Sequence, residues 1–148
     1  MKNLKICLLI FGLILFGVSS YLLITNIFSS HGIEVSNARF NIIPNGGGVF
    51  LDIYNGLDRE ICLVSADILD VDGEKVMIHQ TIMEGGVEKM VMVDKICIGP
   101  KTTVKLERGG YHIMVMNTDL KNFETIKVKL IFDDGEEVIV EAKKVLTG

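Results

Sequence analysis

The sequence predicts an all-β domain behind one N-terminal membrane-spanning helix. Three observations carry that reading. Beyond residue 31 the chain is a series of brief runs in which β-branched and apolar residues alternate with polar ones. Turn-forming clusters divide these runs at regular spacing, and no stretch among them has the apolar periodicity of a helix. Many short strands so divided suggest a β-sandwich or barrel.

The first element is the apolar run "ICLLIFGLILFGVSSYLLITNIF", with no charged residue from Ile6 to Ser30. As a helix its length is roughly 35 Å at about 1.5 Å per residue, enough to cross a bilayer. Lys2 and Lys5 precede it, so the positive-inside rule keeps the N-terminus in the cytoplasm and sends the rest outward. A cleaved signal peptide, with its apolar core at residues 6 to 16 and small residues at Val18 to Ser20, is the competing reading. Either way the following domain is exported. Residues 1–30 are therefore read as anchor or signal segment and residues 31–148 as one domain, with His31 and Gly32 as a short linker.

The expected strands are, in order, "IEVSNARF", "GVFLDIYN", "ICLVSADIL", "KVMIHQTIM", "EKMVMV", "TTVKLE", "YHIMVMN", "IKVKLIF" and "EEVIVEAKKV". The turns between them fall at "NGG", "DVDGE", "EGG", "RGG" and "DDGE", which supply glycine, asparagine and aspartate where the backbone must reverse. The hairpin around Asp134-Gly135 is the clearest, because alternating runs flank a tight-turn pair.

Composition removes several functions. The net charge is -4, and setting aside Lys2 and Lys5 leaves 13 Lys and Arg against 19 Asp and Glu, or -6, for the domain. Such a surface argues against nucleic acid as a partner. The chain has no Cys-x-x-Cys, His-Glu-x-x-His, Gly-x-Ser-x-Gly or glycine-rich phosphate loop, and no nucleophile, base and orienting group can be assembled from motifs. An enzyme is not expected. "DVDGE" lacks the length and the terminal bidentate Glu of a calcium loop. Cys7 stands too early for a lipoprotein cysteine, which leaves Cys62 and Cys97 in the exported domain. They form either a disulfide, which an oxidising compartment permits, or a small buried apolar pair.

Six of the seven methionines lie between Met77 and Met116, the window that also holds His79 and His112. On strand parity His112, Met114 and Met116 share a face, as do Met90 and Met92, and as do His79, Thr81 and Met83. Three adjacent strands could aim these at one spot. A single methionine on a strand is usually core filler, but thioether sulfur with imidazole is a soft, uncharged donor set that selects Cu(I) over Zn(II), Mg(II) or Ca(II).

The spacing makes a resemblance specific. "HQTIMEGGVEKM" followed by "GGYHIMVM" gives His79, ten residues, Met90, twenty-one residues, His112, one residue, Met114. This resembles the periplasmic Cu(A) copper-chaperone family, and the similarity runs from about Gly48 to Val145. The resemblance implies a cupredoxin-like Greek-key β-sandwich with a surface-near Cu(I) site whose ligands are His79, Met90, His112 and Met114. It further implies delivery of copper to the Cu(A) centre of cytochrome c oxidase, with the oxidase subunit and a Sco-type protein as partners, at the periplasmic side of the cytoplasmic membrane. Met116 is then packing or second shell. Departures are the missing tryptophan, Glu88 where methionine is common, Asn117 where glycine is common, and the two cysteines. A copper storage or resistance protein, or a metal-free extracytoplasmic binding module, are the alternatives.

Overall fold

The computed structural model describes residues 32–146, and the anchor expected over residues 1–30 lies outside the described residues. Ten strands and no helix make up the described chain: β1 (Ile33–Ile43), β2 (Gly46–Asn55), β3 (Ile61–Ile68), β4 (Lys75–Glu84), β5 (Val87–Met92), β6 (Ile96–Ile98), β7 (Thr102–Leu106), β8 (Tyr111–Met116), β9 (Thr125–Phe132) and β10 (Glu137–Lys144). The all-β expectation holds. Nine strands coincide with the expected runs; β6 is the addition, too short to display a period.

All ten are linked in one ladder of order β5-β4-β8-β7-β2-β1-β10-β9-β3-β6, with a further β2–β8 pairing. Pairing is antiparallel except for β1 with β10 and β7 with β8. The sheet folds back on itself, so β3 lies against β4 with no ladder between them. One core results.

That core follows from period-two patterning. Val49, Leu51 and Ile53 of β2 are fully buried, and so, within 1%, are Ile126, Val128, Leu130 and Phe132 of β9. Ile78 of β4 and Ile113 and Val115 of β8 join them. The alternate residues of β4 and β8 thus project to the outer face, where the histidines and methionines lie.

Turn chemistry fixes the hairpins. Gly85 and Gly86 both have positive φ, 61° and 81°, and close the two-residue β4–β5 turn between Glu84 and Val87. At the end of β9, Phe132 N–H donates to Glu136 O and Gly135, at φ 85°, turns the chain into β10. The "NGG" turn is displaced: Ile43 pairs with Gly46, so Pro44 and Asn45 make the reversal and the glycines belong to β2. Their reason is proximity, since a Cβ on Gly46 would lie 1.9 Å from the Val115 carbonyl oxygen of β8.

Cys62 and Cys97 are direct partners in the β3–β6 ladder and form a disulfide. Asn55, fully buried, anchors the far side of β6: its Nδ2 donates to the carbonyls of Arg59, Ile98 and Gly99, and its Oδ1 accepts from Leu57 N–H.

Candidate metal centre

The site is built on β4, β5 and β8. In the β4–β8 ladder His79 pairs with His112 and Met77 with Met114; in the β4–β5 ladder Thr81 pairs with Met90 and His79 with Met92. Directly paired residues project to the same face of an antiparallel pair. The three groups that strand parity separated are therefore one outer-face array.

His112 is 4% exposed, a deep position for an imidazole. Its Nδ1 lies 3.3 Å from the Gly110 carbonyl, an acceptor only, so a proton on Nδ1 makes that hydrogen bond and leaves Nε2 with a free lone pair. Nε2 is buried without a partner, and so is Nδ1 of His79. The two rings meet edge to face, 5.7 Å between centroids and 86° between planes. Burial first, and the neighbouring His112 second, hold the His79 imidazolium pKa below its ordinary value. That favours the neutral, donor form.

Room for these groups comes from β2. Gly48 stands opposite Met114, and its backbone N–H donates to Asn41 Oδ1 at 2.9 Å. A Cβ there would meet Asn41 Oδ1 at 2.8 Å and the Phe50 ring at 3.2 Å. Phe50 lies 6.3 Å from the His112 ring and carries the Arg39 guanidinium 5.7 Å over its own centroid. Beside them opens a cleft of about 440 Å³ whose walls include Met90, His112, Met114, Gly48 and Phe50.

Of the four residues singled out by spacing, Met90, His112 and Met114 thus line one cleft, and His79 stands beside His112. Met90 is 61% exposed on β5, the end strand. Gly48, Asn41 and Phe50 were not singled out. Their signal is the run of three glycines, of which Gly46 and Gly47 fall in the expected "NGG" turn and Gly48 opens the expected strand. Two imidazoles and two thioethers, all neutral, make a soft donor set. A second cluster, Glu60 with Cys62 and Cys97, has its sulfurs joined in the disulfide.

Comparisons with known proteins agree with the architecture. Residues 33–143 match the family model described as "Putative lipoprotein LpqE-like". A Rickettsia prowazekii (strain Madrid E) protein, "Uncharacterized protein RP573", is 33% identical over 102 residues, covering 67% of this chain and 55% of its own length. The chain thus spans about half of that relative. Among solved structures, the copper-bound PCuAC domain from PmoF2 is 17% identical with a TM-score of 0.65, covering 81% of this chain and 97% of that one. The CuI form of DR1885 from Deinococcus radiodurans is 26% identical with a TM-score of 0.60, covering 79% of this chain and 80% of that one. With a family match over most of its length and this structural likeness, the chain belongs to the LpqE-like family and has the fold of the PCuAC copper-chaperone domains.

Proposed function

We propose that this domain is a Cu(I)-binding metallochaperone that holds one ion through His79, Met90, His112 and Met114 and releases it by ligand exchange. The observation that carries the reading is the pair of buried imidazole nitrogens, His79 Nδ1 and His112 Nε2, left without protein partners beside a thioether-lined cleft. An unsatisfied buried polar atom costs about 1–3 kcal/mol, which a coordinated cation offsets. Thioethers are poor donors to Zn(II) and good ones to Cu(I), so the residues fit copper. The copper-bound PmoF2 domain supports copper as the cargo, and the CuI form of DR1885 supports its Cu(I) state.

Four neutral ligands leave the ion its positive charge, and a half-open site allows an incoming donor to displace one of them. That suits a carrier rather than an enzyme. The acceptor we assign is the Cu(A) centre of cytochrome c oxidase, with a Sco-type protein as co-worker. In this reading the arrangement of strands is the cupredoxin-like Greek key, and residues 1–30 tether residues 31–148 at the periplasmic face of the membrane, where tethering raises the concentration near a membrane-bound acceptor. The lipoprotein description of the family supports an extracytoplasmic place.

The test is a competition titration of the exported domain against a Cu(I) chelator, followed by mixing the loaded domain with the soluble Cu(A)-bearing part of an oxidase subunit. Copper is expected to bind one per chain and to move to the acceptor. Retention by the domain would favour storage, and absence of binding would overturn the reading.

A further inference from the structure

Resting on the copper reading, we propose that Met92 is a third thioether donor of the same centre, sharing one cation with Met90. Met92 is the direct ladder partner of His79, which is in turn the direct partner of His112. Met92, His79 and His112 therefore form one row across three strands, with neighbouring Cβ atoms about 4.5–5.5 Å apart. Met90 occupies the next row, opposite Thr81, and is a diagonal neighbour of His79, at roughly 7–8 Å. By backbone position Met92 is nearer to His79 than Met90 is.

The two side chains leave β5 in adjacent rows, Met92 in the His79 row and Met90 in the Thr81 row. Met90 lines the cleft with His112 and Met114, whereas Met92 lines a smaller depression of about 160 Å³ together with Met77 and Ile78. Neither is core filler, since Met90 is 61% and Met92 67% exposed. Burial of apolar surface therefore does not account for either. Methionine is unbranched with three rotatable bonds, so each thioether can swing toward the unpartnered His79 nitrogen without backbone movement.

β5 ends the sheet, so no further strand covers its outer side. An ion held by His79, His112 and Met114 can exchange one sulfur for the other. As the bond to Met92 forms, the bond to Met90 breaks, and the ion remains Cu(I) with its charge unchanged. The exchange shifts the ion along β5, the end strand, where an acceptor's donor can replace the departing sulfur.

The experiment is a Cu(I) competition titration on wild type, M90L, M92L and M90L/M92L, with thermal unfolding of each apo form and a count of sulfur ligands by X-ray absorption at the copper edge. All apo forms are expected to unfold like wild type, because both sites are exposed. Because each methionine can replace the other, each single variant should lose little, and the double variant should bind at least about tenfold more weakly than the product of the single losses. A double variant no weaker than M90L, or no weaker than that product, overturns the sharing and leaves the four-ligand reading standing. Unchanged binding in M90L/M92L and in M90L/M114L alike overturns both.

Discussion

His79 and His112 face each other across the β4–β8 ladder with ring centroids 5.7 Å apart, and each keeps a buried nitrogen that no protein group satisfies. A fold that needed these imidazoles only for packing would gain by filling the positions with leucine. The retained cost supports their proposed role as metal ligands, and it leads to measurable consequences.

His112→Leu removes the unpaired buried Nε2 and replaces the ring with apolar volume. Taking away a buried polar group whose partner is missing is expected to leave apo stability unchanged or raise it by up to about 1–3 kcal/mol, while Cu(I) binding is lost. Chemical denaturation of the apo protein alongside a chelator competition checks both. A variant much less stable than wild type would make His112 structural.

Replacing Met90 and Met114 together by leucine conserves side-chain volume and is expected to cost less than about 1.5 kcal/mol of apo stability. Cu(I) affinity should fall because Met114 and Met90 are both gone and only the imidazoles and Met92 remain as donors. Unaltered affinity in the titration would mean that neither thioether touches the ion.

Gly46→Ala is expected to destabilise the domain by roughly 1–3 kcal/mol or more, since the new Cβ meets the backbone of β8 and a backbone cannot swing aside. Denaturation midpoints of this variant and of Gly73→Ala separate close approach from turn strain. At Gly73 no atom lies within 4 Å and only the φ of +77° resists.

Cys62→Ala with Cys97→Ala opens a cross-link between residues 35 apart and should cost about 2–4 kcal/mol. Copper affinity should be unaffected, because neither sulfur is among the proposed donors. Thermal unfolding and the same competition assay give the two readings.

Stability should carry an acid-sensitive contribution from Asp134. Its carboxyl pKa is held below the ordinary value, first by the backbone N–H of Glu136 and then by the Arg59 side chain, with burial opposing. A carboxylate with a depressed folded pKa contributes stability above its unfolded pKa and loses it as pH falls through the folded one. Asp134→Asn should therefore be less stable than wild type at neutral pH, by no more than about 1 kcal/mol for so exposed a pair. The gap should close below about pH 4, near the unfolded carboxylate value. A pH series of denaturation curves checks the sign.

Much of this protein was set by sequence alone. Alternation is a local property, so nine of the strands and the β9–β10 hairpin were legible from single runs such as Thr125–Phe132, and the spacing of His79, Met90, His112 and Met114 supplied the proposed ligands. Register is not local. It decides which residues of different strands stand side by side, and it depends on pairings between segments far apart in the chain. Only the folded sheet could show that Met92 stands opposite His79, or that Cys62 meets Cys97 through the three-residue β6. The same holds for Gly46 and Gly47, which look like a turn in sequence. They lie in a strand because neighbouring backbone stands where their side chains would be, the Val115 carbonyl of β8 at Gly46 and the Asn41 carbonyl of β1 at Gly47, while the space that Gly48 leaves opposite Met114 forms part of the cleft.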